Sequence, residues 1–296
     1  MCFVVHPARR PVALDSIHAL PSLTVAAMSY ARCFSTLGCP EFSLEAVLAL
    51  AAKHRIPLVE VRSLAGTVDL AAHFAAHYGT PARLAAQLAD AGVRIVALDA
   101  SFRLIGGTAG ERDPRDELAA LARWADALGV RWLRVFDGGR DLATSELEAA
   151  GATLRWWRDL RTARGWRVDL MVETHDSLLT AAAIARFRAA LPDTAILWDA
   201  HHTWRKGGED PVATWRAIRT GVVHVHLKDS VGQPSARHPF TYVLPGDGEF
   251  PVSPLLATLR ADGFDGPVSL EWERMWHPYL PSLDAALTVA AARHWW

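Results

Sequence analysis

Eight short apolar runs rich in β-branched and aromatic residues recur along the chain from residue 28 onward, and longer Ala-, Leu- and Arg-rich stretches of helical spacing separate them. That alternation marks repeated βα units feeding a parallel sheet. The strand-like runs are Tyr30 to Ser35, Leu58 to Arg62, Arg94 to Asp99, Trp132 to Phe136, Asp169 to Glu173, Ala195 to Asp199, Val222 to Leu227 and Val268 to Trp272. Helical spacing covers Leu44 to His54, Pro81 to Ala91, Pro114 to Leu128, Ser145 to Arg164, Leu178 to Ala190, Pro211 to Arg219, Pro254 to Ala261 and Leu283 to Arg293. Thr80-Pro81 and Asp210-Pro211 each place a capping residue before a first-turn proline, and Gly92 and Gly129 stand where helices should stop.

No Pro/Gly/Ser-rich linker divides residues 28–296, so eight consecutive units closing on themselves are simpler than two domains. The expected fold is α/β, a single (β/α)₈ barrel over 28–296, preceded by a disordered extension over 1–27. An open doubly wound sheet would require a glycine-rich phosphate turn after the first strand, and Ser35-Thr36-Leu37-Gly38-Cys39 stands there instead. Within residues 1–27, Pro11, Asp15, His18 and Pro21 interrupt the apolar residues, which disfavours an export signal.

Composition narrows the partners. Lys plus Arg total 31 against 32 Asp plus Glu, so no basic field exists to gather nucleic acid or an anionic membrane surface. No run approaches the ~20 apolar residues of a membrane helix. The three cysteines, Cys2, Cys33 and Cys39, form no Cys-x-x-Cys pair, which argues against a thiolate zinc site or a disulfide framework and fits a reducing cytoplasm. Nothing in the composition separates a monomer from a homo-oligomer.

In an eight-stranded α/β barrel, active sites form at the C-terminal ends of the strands. Here four successive strands end in acids or imidazoles: Val172-Glu173-Thr174-His175, Trp198-Asp199-Ala200-His201-His202, Val223-His224-Val225-His226-Leu227-Lys228-Asp229 and Leu270-Glu271-Trp272-Glu273. Side chains alternate along a strand, so Glu173 pairs with His175, His224 with His226, and Glu271 with Glu273 on one face. One member of each pair can face the barrel mouth. Carboxylates mixed with imidazole suit one hard or borderline divalent ion, with Mn²⁺ first and Zn²⁺, Co²⁺ or Mg²⁺ as alternatives. Without a cation, acids clustered in this way would repel one another into protonation.

The chain resembles the sugar phosphate isomerase/epimerase family of xylose isomerase-like TIM barrels, over about residues 29–290. The resemblance rests on Glu-Thr-His at 173–175, Trp-Asp-Ala-His-His at 198–202, His-Val-His-Leu-Lys-Asp at 224–229, Pro-Gly-Asp-Gly-Glu-Phe at 245–250 and Ser-Leu-Glu-Trp-Glu at 269–273. It implies that Glu173, Asp199, His226 and Glu271 hold the metal, and that His175 and His202 hydrogen-bond the substrate. It also implies catalysis by Glu173 and Glu271. In such epimerases the metal polarises a carbonyl and its neighbouring hydroxyl, one glutamate removes a proton to give an enediolate, and the other returns it on the opposite face.

Other residues carry two readings each. Glu60 and Arg62, in Val-Glu-Val-Arg, are either substrate contacts or an internal barrel ion pair. Lys228 and Asp229 either bind a substrate oxygen or pair in a loop. His224 and His201 read as hydrogen-bonded core histidines beside His226 and His202. The Gly246-Asp247-Gly248 segment reads first as an ordinary turn and Arg274 as solvated. Trp198, Trp204, Trp272 and Trp276 are candidates for an apolar wall against a sugar ring.

The expected function is therefore a metal-dependent isomerase or epimerase acting on a sugar, a sugar phosphate or a polyol-derived ketone. The alternative is a dehydratase of the inosose or dehydroshikimate type, which would use the same ligands but expel a β-hydroxyl. A repair endonuclease would need further histidines on the second and third strands, which end in Glu60, Arg62 and Asp99. A barrel that only binds ligand would be expected to lack one of the four metal-ligand candidates.

Overall fold

The computed structural model describes residues 30–106 and 113–295 together with Met1. The extension expected over residues 1–27 therefore lies outside the described residues, Met1 apart. The strands are β1 (Ala31–Ser35), β2 (Leu58–Val61), β3 (Arg94–Arg103), β4 (Trp132–Phe136), β5 (Asp169–Glu173), β6 (Ala195–Asp199), β7 (Val222–Leu227), β8 (Asp229–Val231), β9 (Thr241–Val243) and β10 (Pro267–Leu270). Eight of them close a barrel in the order β1-β10-β7-β6-β5-β4-β3-β2, every neighbour parallel. β8 and β9 form a separate antiparallel hairpin.

The helices are α1 (Leu44–His54), α2 (Leu70–Tyr78), α3 (Pro81–Asp90), α4 (Pro114–Ala127), α5 (Thr144–Arg164), α6 (Ala181–Ala190), α7 (Ala200–Arg205), α8 (Pro211–Ile218), α9 (Val252–Ala261) and α10 (Leu283–Ala292). Local chemistry sets several ends. The Asp210 side chain accepts from the N–H of Ala213, and Pro211 fills the first helical position where no donor is needed. Gly92 and Gly129, with φ of 65° and 71°, turn the chain out of α3 and α4 through the left-handed region.

α2 is an element that the spacing did not flag. Asp69 caps it on the N–H of Ala72, and Leu70, Phe74 and Tyr78 recur at i, i+4 to bury one short face. The short α7 follows β6 without a loop because Asp199 is both the last strand residue and the helix cap. β3 continues to Arg103, and its pairing with β4 shifts register between Asp99 and Arg103. β10 stops at Leu270, yet the N–H of Glu271 still bonds the carbonyl of Leu227, which extends the ladder by one step.

Most of the apolar core lies between the strands and the surrounding helices. Inside the barrel Ala97, Met171 and Leu197 form a small apolar layer, with polar side chains facing it further along the strands. Trp198 stacks on Trp215 at 5.9 Å and donates its N–H to Thr203, while Trp272 donates to the carbonyl of Pro281. Both are anchored on the outward side of the strand ends, so neither forms the sugar-facing wall for which they were candidates. Trp204 is half-buried against Phe250, and Trp276 is exposed.

Asp229 explains the Pro-Gly-Asp-Gly segment. One carboxylate oxygen accepts from the N–H groups of Gly246 and Gly248 and the other from those of Phe250 and Ser230. A Cβ on Gly248 would lie 2.0 Å from that carboxylate, so only glycine lets the strap wrap so closely. The segment is thus a turn, tied down beside the hairpin that begins after Lys228.

Candidate metal centre

Glu173 closes β5, Asp199 closes β6, His226 is the penultimate residue of β7, and Glu271 directly follows β10. Asp199 pairs with His226 across the ladder, and Ser269 pairs with His226 from the other side. Glu271 follows Ser269 by two residues and Asp199 follows Leu197, the partner of Glu173, by two, so strand alternation aims all four side chains inward. One ligand-type atom from each lies within 4.8 Å of the others, and all four residues are buried. Ligands about 2.1 Å from a shared cation stand at most about 4.2 Å apart, so a shift of a few tenths of an ångström would complete coordination.

The unpaired atoms support the same fit. Glu173 Oε2, Asp199 Oδ2 and His226 Nδ1 are buried without an aligned hydrogen-bond partner. Asp199 Oδ2 lies 2.7 Å from Lys228 Nζ, and Glu173 Oε2 lies 3.3 Å from Arg134 Nε, but neither contact has hydrogen-bond geometry. Buried acceptors of this kind are costly unless a cation or donor meets them. Burial drives the Glu173 and Asp199 carboxyls above their ordinary range despite Arg134 and Lys228. Burial also works against the charge on Glu271, but His226 and Lys228 overcome it and hold that carboxyl well below the usual range. Three clustered carboxylates, two of them with orphaned oxygens, form a donor set that a divalent cation would satisfy.

Around this set lies a supporting layer. His226 Nε2 meets both oxygens of Glu60 at 2.8 and 2.9 Å, which turns Nδ1 toward Glu173 and Glu271. Glu60 also accepts from Ser269 Oγ, and His224 Nε2 sits 3.1 Å from it. Glu60 has no exposed surface, and its partners are the imidazoles of His224 and His226 and not Arg62, the partner expected from the sequence. Arg62 is 5% exposed and bonds the carbonyl of Asp99 and the hydroxyl of Ser101. His224 and His201 are buried, bonded to Ser269 and Ser230.

Lys228 is the single residue between β7 and β8. It continues the inward alternation of His224 and His226, is 1% exposed, and its ammonium sits among Asp199, Glu271 and Glu273. His202 is buried with Nδ1 on the carbonyl of Thr174, while His175, ring to ring with it at 5.0 Å, is partly exposed. The structure thus brings His175, His202 and Lys228 to the edge of the ligand set, leaves Arg62 at its flank and places Glu60 beneath it. Asp199 is braced at both ends, its N–H by Thr174 Oγ1 and its Oδ1 by the N–H of His202.

Two residues here went unflagged in the sequence. Arg134 is buried, contacts Glu173 and Asp99 and lies 4.1 Å over the Phe136 ring. An arginine at the centre of Trp-Leu-Arg-Val-Phe, inside a barrel strand, was itself the signal. Tyr242, on the hairpin, points its hydroxyl at Glu273 from 3.4 Å. Its placement depends on a hairpin that periodicity does not reveal.

The sequence matches the family model described as xylose isomerase-like TIM barrel over residues 48–295. No curated protein matches it. Among solved structures, the probable 3-DHS dehydratase AsbF of Bacillus anthracis is similar at 18% identity and a TM-score of 0.70, over 88% of this chain and 98% of that one. The IolI protein with a bound zinc atom superposes at TM-score 0.68 and 17% identity, covering 89% and 96%. A D-tagatose 3-epimerase-like protein gives 0.64 and 17%, covering 90% and 96%. Identities this low establish a common fold.

Proposed function

The chain belongs to the xylose isomerase-like TIM barrel family, and from that premise we propose that it is a cytoplasmic, metal-dependent isomerase or epimerase of a sugar, sugar phosphate or polyol-derived ketone. The observation that carries the reading is the convergence of Glu173, Asp199, His226 and Glu271, with ligand atoms within 4.8 Å. The zinc in IolI and the epimerase-like neighbour support it. Mn²⁺ is favoured for a set with three carboxylates, and Zn²⁺, Co²⁺ or Mg²⁺ would be held by the same atoms.

A divalent ion bound there supplies Lewis-acid polarisation of a substrate carbonyl and its adjacent hydroxyl. The protein residues do the rest. Glu173 and Glu271 come from β5 and from the end of β10, on either side of the strands that carry Asp199 and His226, so a carbon between them has a carboxylate on each face. One removes a proton to leave an enediolate, and the other returns it on the opposite face, inverting the centre. Asp199 and His226 serve as ligands only. His175, His202 and Lys228 hydrogen-bond substrate oxygens, and the buried setting excludes water that would quench a carbanion.

A dehydratase is the second reading, favoured by the likeness to the probable 3-DHS dehydratase. It begins with the same proton removal but loses a β-hydroxyl. A screen of ketoses and inososes with the metal-loaded protein, read by product mass, separates the two. Conserved mass identifies the isomerase or epimerase, and loss of water identifies the lyase. No conversion of any ketone would overturn the proposal.

Glu60 gives a test of the ligand geometry. A carboxylate behind a ligating histidine fixes its ring and raises its basicity, and removing such a partner typically costs 10- to 100-fold in affinity. Glu60→Gln should therefore weaken Mn²⁺ or Zn²⁺ binding by roughly that factor in calorimetric titration. Unchanged affinity would mean that His226 is not a ligand.

A further inference from the structure

Asp176 is outside the ligand set, yet its carboxylate is fixed by three contacts. Oδ2 accepts from Nη1 of Arg103 at 3.0 Å and from the N–H of Gly138 at 3.2 Å, while Oδ1 lies 3.0 Å from Nδ1 of His175. The loop that carries it is pinned as well. Asp137, buried just after β4, accepts from the N–H groups of His175, Asp176 and Ser177 and from the hydroxyl of Ser177. A loop that only capped a strand would not need consecutive amides held by one buried carboxylate and the next side chain held by a guanidinium.

The consequence falls on His175. An ionised carboxylate can only accept, so His175 carries a proton on Nδ1, and whenever the ring is neutral Nε2 presents a lone pair. Nε2 makes no hydrogen bond among the described residues, and the side chain is 31% exposed against 3% for neighbouring His202. Phe136 packs on the ring at 4.7 Å and restricts its rotation. The free nitrogen therefore belongs to a solvent-open position two residues beyond Glu173.

We propose that Asp176, braced by Arg103 and Gly138, is a positioning residue that fixes Nδ1 of His175 as the protonated, donating nitrogen and leaves Nε2 to face the substrate at the barrel mouth, as an acceptor when the ring is neutral. That Nε2 meets a substrate group rests on the proposed function, and the tautomer stands without it.

The test uses the full chain, ¹⁵N-labelled at histidine, in chelator at alkaline pH, with His175→Ala to identify the signal. Two-bond ¹⁵N–¹H correlation of the wild type should show Nδ1 protonated and Nε2 bare, and Asp176→Asn should abolish that preference. In turnover of the ketone found by the product screen, Asp176→Asn should lower kcat roughly 10- to 100-fold, with KM and metal uptake little changed. In a His175→Ala background the same change should add less than about twofold, because it acts through that ring. A wild-type ring protonated on Nε2, or a full loss in the His175→Ala background, would overturn the assignment. If Asp176→Asn misfolds, Arg103→Met tests the brace in the same two readouts, and the wild-type spectrum needs no variant. A protein with the expected tautomer but no turnover would refute the proposed function and leave the dyad intact.

Discussion

Glu271→Gln is expected to abolish turnover, by a factor of about a thousand or more, while the protein stays folded and still takes up metal. Gln keeps an oxygen that can coordinate, so the ligand geometry survives in outline. It loses the ability to accept a proton, which the proposed reaction requires from one of the two glutamates. Lys228 keeps Asp199 and Glu273 as partners in the variant, so no buried ammonium is stranded. Circular dichroism and metal analysis check the fold and the ion, and product formation checks the chemistry. Full activity in this variant would remove Glu271 from the mechanism.

The largest expected effect on stability comes from Lys228→Met. Its ammonium lies among three carboxylates at 1% exposure, and burial fails to discharge it because Asp199, Glu271 and Glu273 raise its pKa well above the ordinary lysine range. Methionine matches the stem in length but leaves those acids facing one another. Removing one partner of a buried ion pair costs about 3–5 kcal/mol. That loss should appear in urea unfolding of the protein in chelator and shrink when Mn²⁺ is added, since the ion supplies positive charge to the same acids. Adding Asp199→Asn to Lys228→Met should recover part of the stability in chelator. Equal stability of Lys228→Met and wild type would show that the cluster is not held by that charge.

Much of this arrangement was legible in the sequence, for identifiable reasons. Strands β4 to β7 have their expected bounds because each is an apolar run closed by a charged or turn-forming residue, and the helices after Thr80-Pro81 and Asp210-Pro211 begin where their caps stand. The four candidate ligands come together because strand parity and barrel closure leave inward residues near the strand ends no other place to point. Parity carries further information. His224, His226 and Lys228 lie two residues apart and all turn inward, whereas Leu-Lys-Asp after a strand reads as a loop. Arg134 shares one strand face with Trp132 and Phe136 in the same way.

Other features depend on contacts between residues distant in sequence. Glu60 meets His226 across 166 positions, and nothing near Val-Glu-Val-Arg indicates that partner. Trp198 and Trp272 sit near strand ends but on outward positions, so they pack under helices. Tyr242 reaches Glu273 only because the strap around Asp229 folds the hairpin back over the barrel.

Whether Glu173, Asp199, His226 and Glu271 hold one divalent ion is decided by titrating the chelator-stripped full chain with Mn²⁺ and Zn²⁺ and measuring bound metal after dialysis. One equivalent per chain, lost on changing Asp199 or His226 to Ala with the fold retained, is the predicted result. No uptake of any divalent ion by the folded protein, or uptake unaffected by those changes, would contradict it.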